Sequence, residues 1–443
     1  MYKKYSVYAS ISFAVLLLGI GVPLWWYTTA VPRVSLPYAG IEALSDLDIN
    51  IKTKIVVVAL TIYFSTETSK QPILRSRSNI AENFTVLLQP FIFVSAASTL
   101  IQVLSEWVLL EKSLTLTRNA LTEPTLYSLD EENRRRFPAS PAYDVLITVV
   151  NPDPEKLKVA WDLRVMAEEY VEPFLSELSI LSNFSVKSQW LYLLPLDVSP
   201  KRVPDSSPLG RHFALSEDVL PQLITPLEKK LASQVSLHPT INFVIYAVPC
   251  DSAPLHIYTR SGHRSKINAN VEAFLSPRWG GVVLINPPVE ACMAAKLDQP
   301  VTIVPEQTTI VGTFLTQLKL LLGIPEPKFL NGVTAVSLPG LKLRDWEVDA
   351  LLRVRTIEQL TSAKLTLQSI AQLLQEISNI VITDIVGNRI KTALRLVEES
   401  AQRLTRGDLA VGFLLSKEAF VTAEAAFSDP TLFALLYFPE DQK

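Results

Sequence analysis

The only pattern in this chain that matches a metal-binding word is Asp46-Leu47-Asp48. Two carboxylates so spaced can hold a divalent cation against the phosphates of a nucleotide sugar, the chemistry of many glycosyltransferases. That chemistry needs the pair just after a strand of the nucleotide-binding fold. Here it sits in SDLDIN, ahead of the first credible strand, and reads as a solvated turn or helix entry. Asp162, Glu168, Glu169 and Glu172 gather near a helix start, where exposed backbone N–H groups favour negative charge without any catalysis. His212, His238, His256 and His263 fall into no H-E-x-x-H spacing. Neither a G-x-S-x-G elbow nor a G-x-x-x-x-G-K-[ST] loop occurs. Cys250 and Cys292 are the only cysteines, too few for a disulfide framework; in an oxidising compartment they could pair, and otherwise they are two buried thiols. SPRWGG, residues 276–281, places two glycines before an apolar run, which suits a tight turn or a close backbone approach, with Arg278 and Trp279 exposed as a contact point. None of these groups amounts to an active site. The chain reads as an interaction module.

Composition sets the frame for that reading. The 443 residues suffice for two or three domains. A net charge of −3, from 41 basic and 44 acidic residues, leaves no electrostatic footprint for nucleic acid. Only 14 glycines are present, so phosphate-cradling loops have little raw material, while 30 prolines imply many loops.

Residues 5–27 carry no charge and are long enough for the roughly 20 residues that span a bilayer core, so they read as one transmembrane helix. Trp25, Trp26 and Tyr27 stand where a signal peptide would need small residues, and suit the membrane interface instead. Lys3 and Lys4 precede the span, and Glu42, Asp46 and Asp48 follow it, which favours a cytosolic N-terminus and a luminal remainder. Two glycosylation sequons, at Asn83 and Asn183, agree with a secretory compartment. A second uncharged run, 83–105, is too rich in Thr, Ser and Gln for lipid and reads as a buried helix.

Short β-branched runs at 55–64, 143–150, 183–194, 240–248, 281–285 and 301–304 read as strands, several apolar throughout and therefore covered on both faces. Helix-like segments at 164–182 and 308–323 lie between them, the latter closed by Gly323. The fold class that follows is α/β: a luminal layered domain, 28–340, with a parallel or mixed sheet. A helical bundle, 341–438, comes after it. Its seams are Ala363, Leu367, Ile370, Leu374, Ile377 and Val381, then Ile390, Leu394, Val397, Ala401 and Leu404, with turns at VGNR (386–389) and RGD (406–408).

Three stretches carry a resemblance to a known family. GVPLWWYTT followed by SLPY, then SPRWGG, then FALLYFPEDQK, resemble the phosphatidylinositol-glycan class S subunit of the glycosylphosphatidylinositol (GPI) transamidase, and the similarity runs through most of the chain. The resemblance implies a non-catalytic subunit in the endoplasmic reticulum membrane, residues 1–4 cytosolic and the bulk luminal. Its partners would be the class K, class T and class U subunits, the GPI attachment subunit and membrane lipid, with GPI and the proprotein met indirectly. The complex forms an acyl intermediate on a cysteine and passes the acyl group to the anchor's ethanolamine amine. That cysteine lies in the class K subunit, so neither Cys250 nor Cys292 inherits it, and no catalytic residue, metal or cofactor is carried over. Family members continue past a PEDQK-like segment into a second transmembrane helix; residues 439–443 read as the lead-in to such a helix, absent here. A luminal glycosyltransferase of type II topology is the alternative.

Overall fold

The computed structural model describes residues 11–29, 33–53, 57–58, 73–76, 84–88, 93–126, 134–204, 210–231, 235–264, 271–294, 299–324, 327, 330, 333–335, 342–377 and 380–432. The chain divides into two units, one of residues 1–50, 359–405 and 415–443, the other of residues 51–358 and 406–414.

The second unit is organised by a five-stranded sheet. Its strands are β1 (Ala142–Asn151), β2 (Asn183–Tyr192), β3 (Thr240–Ala247), β4 (Val271–Ser276) and β5 (Gly280–Ile285), in the order β4-β5-β3-β1-β2. All neighbours run parallel except β4, which returns antiparallel on β5. Successive side chains of a strand point to opposite faces. Val145, Ile147 and Val149 of β1 and Ile241, Phe243 and Ile245 of β3 therefore enter one core, while Leu146, Val150, Val244 and Tyr246 enter the other. Both faces are dry, which is why these strands are apolar throughout rather than alternating.

The first core is closed by the helix α1 (Gln307–Leu322) and by the helical run 163–177. α1 ends where Gly323 turns left-handed at φ 81° and its N–H bonds Leu320 O at 3.3 Å. Asp162 caps the run 163–177 by accepting from Arg164 N at 3.0 Å and Val165 N at 3.3 Å. The second core is closed by the helix Leu220–Lys230 and by a small sheet of Lys201–Val203, His212–Ser216 and Leu255–Tyr258.

Some expectations needed correcting. The run 83–105 is not one buried helix: Phe84–Leu88 is a strand and Phe93–Val103 a helix, of which Val103 is buried and Ile101 is 66% exposed. Of 55–64 only Val57–Val58 is described, as a strand. The strands at 157–159, 201–203, 212–216, 255–258 and 271–276 were not expected, being short or interrupted by polar residues. Among the described residues no single helix is long and apolar enough to cross a membrane. The N-terminal helix over 11–29 is broken by a π-helical turn, Leu17–Gly21, just before Pro23. A proline lacks the N–H that would continue the ladder, and the same pattern, Ala167–Val171 before Pro173, interrupts the run 163–177.

The C-terminal helices are α2 (Asp345–Glu376), α3 (Asp384–Thr405) and α4 (Leu409–Phe427). Residues 345–358 of α2 belong to the sheet-containing unit. There Arg355, 1% exposed, donates to Leu322 O at 2.9 Å and to Glu358 at 3.0 Å, and Arg136 donates to the other oxygen of Glu358. Two buried guanidiniums thus share one carboxylate, with a backbone carbonyl accepting a further hydrogen bond.

In the first unit Ala363, Leu367, Ile370 and Leu374 of α2 and Ile390, Val397, Ala401 and Leu404 of α3 form the expected seam. Ile377 and Val381 lie beyond the end of α2. VGNR is no turn: α3 begins at Asp384, with Thr383 Oγ1 accepting from Val386 N at 3.3 Å. Gly387 is inside α3 because Val34 packs over it; a Cβ there would stand 3.0 Å from Val34 Cγ1. RGD does turn, with Gly407 at φ 87°. Val34 N bonds Ile382 O at 3.1 Å and Lys364 Nζ bonds Ser45 O at 3.0 Å, so the N-terminal segment is stitched to these helices.

Candidate functional site

In an open α/β sheet, ligands usually enter where neighbouring strands send their chains to opposite sides. Here that point lies between the C-terminal ends of β1 and β3, since β1 leads to β2 on one side and β3 to β5 on the other. The loops that meet there, Asn151-Pro152-Asp153 and Pro249-Cys250-Asp251, contain no glycine. They are fastened instead. Lys156 Nζ bonds Asp251 Oδ2 at 3.1 Å and lies 3.5 Å from Asp153 Oδ2, and Asn151 Nδ2 donates to Leu157 O at 2.9 Å. Cys250 and Cys292 form a disulfide that ties the loop after β3 to the helix Val289–Ala294 after β5. A place that elsewhere opens to hold phosphates is here covalently tied and ion-paired.

A polar cluster that sequence spacing did not reveal lies beside the second core. His212 is fully buried; its Nδ1 faces Gly210 O at 2.8 Å and must donate, and its Nε2 shares a hydrogen bond with the Tyr258 hydroxyl at 2.7 Å. His256 Nδ1 lies 2.9 Å from Glu272 Oε1, and Arg264 Nη2 donates to that oxygen at 2.9 Å. Glu272 is 1% exposed, so its charge is balanced locally rather than by water. The one sequence signal was the spacing of His256 and Tyr258, two apart in a strand and hence on one face. Among the described residues no group of three or more His, Cys, Asp or Glu is placed to hold a metal ion.

SPRWGG forms the β4–β5 turn. Arg278 takes a left-handed conformation at φ 55°, its N–H bonded to Arg135 O at 3.0 Å and its Nε to Arg134 O at 3.1 Å. The expectation that Trp279 is exposed fails: it is 8% exposed and packs in the second core. Gly280 is required, since a Cβ there would lie 1.9 Å from Asn242 O. The turn borders a cavity of about 400 Å³ lined by Phe137, His238, Asn242, Arg278 and Trp279 among others. A second, more apolar hollow of about 530 Å³ lies between the run 163–177 and α1, lined by Tyr170, Phe174, Val311, Gly312 and Leu315.

The remaining expected residues are scattered. Asp46 and Asp48 lie in and just after a short 3-10 turn, both exposed. Asp162 is a helix cap, and Glu168 pairs with Arg164 at 2.6 Å. Asn183 is exposed at the first position of β2, and Asn83 lies outside the described residues. Trp25 is 62% exposed; of the side chains of Trp26 and Tyr27 nothing is described.

Among the described residues, then, stand a built fold, the two hollows above and a fastened switch point. A family model for phosphatidylinositol-glycan biosynthesis class S proteins matches residues 12–89 and 81–443. The chain belongs to the phosphatidylinositol-glycan biosynthesis class S family. Among its class S relatives, the cattle (Bos taurus) "GPI-anchor transamidase component PIGS" is 31% identical over 510 residues, covering 98% of this chain and 90% of that protein. The human protein of the same name is 31% identical over 518 residues, with the same shares. The "GPI transamidase component PIG-S homolog" of Schizosaccharomyces pombe is 24% identical over 483 residues, covering all of this chain and 80% of that protein.

Proposed function

We propose that this class S chain is a non-catalytic subunit of the GPI transamidase in the endoplasmic reticulum membrane. Its role is to support formation of the acyl intermediate on another subunit's cysteine and attachment of the preassembled anchor to proprotein C-termini. The observation that carries this reading is similarity over 98% of the chain to proteins named as transamidase components. The structure is compatible with a supporting role: both cysteines are joined to each other, and the usual ligand entrance of the sheet is fastened by that disulfide and by Lys156.

The same proposal places residues 5–27 across the bilayer, 1–4 in the cytosol, 28–340 and 341–438 in the lumen, and 439–443 as a membrane lead-in. It is supported by the side chains of Ile11, Phe13, Val15, Leu16, Leu17, Leu18, Ile20, Val22 and Leu24, each 46% exposed or more on a helix that water would not stabilise. Trp25 is the interface anchor, with Trp26 and Tyr27. Asn183, exposed at the start of β2, is the preferred glycan acceptor, with Asn83 a second. The partners are the class K, T and U subunits, the GPI attachment subunit and lipid.

The test is depletion of the chain from cells. Loss of GPI-linked proteins from the cell surface, with accumulation of uncleaved proproteins, is expected and should be restored by re-expression. Normal surface display after complete loss would refute the reading.

A further inference from the structure

β2 differs from every other parallel strand of the sheet. From Tyr143 on, β1 is buried at every position; all of β5 is buried, and β3 is buried after its first residue, whereas no residue of β2 is buried. Yet β2 is ten residues long and carries Phe184, Val186, Trp190, Leu191 and Tyr192. Among the described residues it pairs with β1 along one edge only.

The direction of its backbone groups can be worked out. Asn183 N bonds Pro141 O and Leu193 N bonds Asn151 O, so the odd-numbered residues from 183 to 193 face β1. Strand residues alternate, and the N–H and C=O of Phe184, Val186, Ser188, Trp190 and Tyr192 therefore face away. Among the described residues none pairs with these ten groups. The usual defences of an edge are absent as well: β2 contains no proline, and its one charge, Lys187, is taken by Asp144 at 2.6 Å. The apolar side chains stop short of burial too. Phe184, Val186 and Trp190 lie against the first core without being covered by it, Tyr192 stacks on Trp190 at 6.3 Å while 55% exposed, and Leu193 is 73% exposed.

We propose that the free edge of β2 receives an extended strand from another chain of the assembly, completing the sheet as a sixth strand. A row of alternating donors and acceptors at strand spacing is matched by a polypeptide backbone in β conformation. The occupant is a strand of about nine residues with alternating apolar side chains, laid beside Phe184, Val186, Trp190 and Tyr192 on one face and beside Ser185, Lys187 and Gln189 on the other. A different chain fits better than a second copy. Self-pairing centred on Ser188 would set Asn183 of each copy against Leu193 of the other, where a glycan on the sequon would stand, and the relatives are named as components of a larger assembly. The inference rests on the proposed subunit role.

Ser188→Pro provides the test. Its N–H faces outward, so the ring removes a bond to the incoming strand and none to β1, and proline is tolerated at such an edge position. The full-length wild-type chain is purified in mild detergent with its co-expressed transamidase subunits, and backbone hydrogen exchange of the segment 183–193 is compared with that of the chain purified alone. If wild type brings down no transamidase subunit, the subunit reading fails, independently of the edge. If it does, the outward amides should exchange at least about tenfold more slowly in the assembly. Ser188→Pro should then leave the thermal melt of the isolated chain within a few degrees of wild type while removing that protection. Equal exchange in assembly and isolated chain, or protection unchanged by Ser188→Pro, overturns the proposal. So does protection already present in the isolated monomer, which assigns the edge to a segment of this same chain, or a concentration-dependent dimer abolished by Ser188→Pro, which assigns it to a second copy.

Discussion

Gly280 and Gly281 are adjacent in sequence yet constrained in different ways. A Cβ on Gly280 would fall 1.9 Å from Asn242 O, backbone of the neighbouring strand, whereas one on Gly281 would meet the end of the Gln317 side chain at the same distance. A side chain can turn aside and a central strand cannot. Gly280→Ala is therefore expected to cost several kcal/mol, at the upper end of single-residue effects, and Gly281→Ala about 1 kcal/mol. Urea unfolding of the two variants checks the order. SPRWGG could be read from its glycine pair as a tight turn or a close backbone approach, and it is both: the β4–β5 turn, with Gly280 against Asn242 O. That Trp279 faces inward could not, since an indole suits a surface contact as well as a core. The His212–Tyr258 and His256–Glu272 pairs were illegible for a related reason: their members lie 46 and 16 residues apart and meet only through tertiary structure, the first across two paired strands and the second between two sheets.

Among elements, the bond between β1 and its edge partner has a predictable pH signature. Burial pushes the Asp144 carboxyl up, but hydrogen bonds from Lys187 and Ser236 outweigh it and hold the group below the ordinary carboxylate range. A depressed native value means the carboxylate contributes in full above the unfolded-state value near 3.9, and the contribution is lost as pH falls through the lower native value. Melting temperatures measured from about pH 5 down to about pH 2 should fall less steeply for Asp144→Asn than for wild type, from a lower plateau. The disulfide between the loop after β3 and the helix after β5 closes a separation of 42 residues, for which chain-entropy reasoning gives about 4 kcal/mol. Cys250→Ser with Cys292→Ser should lower denaturant stability by roughly that amount. Recovery of the parent midpoint would argue that the unfolded chain is already constrained. Five of the six strands expected from sequence, all those with both faces buried among them, were found where expected, and the described part of the sixth, Val57–Val58, is a strand as well, because a run of β-branched residues has few other uses. Several short peripheral strands, which take their order from neighbours rather than from their own residues, were missed, though Val301–Ile303 was not.

For the whole molecule, the division into units does not follow the chain. One unit takes its residues from 1–50, 359–405 and 415–443, and the other from 51–358 and 406–414, so the backbone passes between them four times. Arg33 donates to Leu374 O, Val34 N to Ile382 O, and Gln368 Nε2 to Ser45 Oγ, all joining residues more than 300 apart. A chain ending at Glu358 is expected to leave residues 33–50 open to limited proteolysis that the full-length protein resists; equal resistance would show that the N-terminal segment holds itself together. During synthesis the same arrangement becomes a matter of time. The first 50 residues emerge ahead of 308 others that belong elsewhere, and at 5–20 residues per second their partners in α2 and α3 follow only after roughly 15–60 s. For that interval Ile41 and Leu44, 2% exposed in the finished protein, stand without the α2 and α3 segments of their own unit, and the nascent chain is a client for any chaperone that waits beside the ribosome.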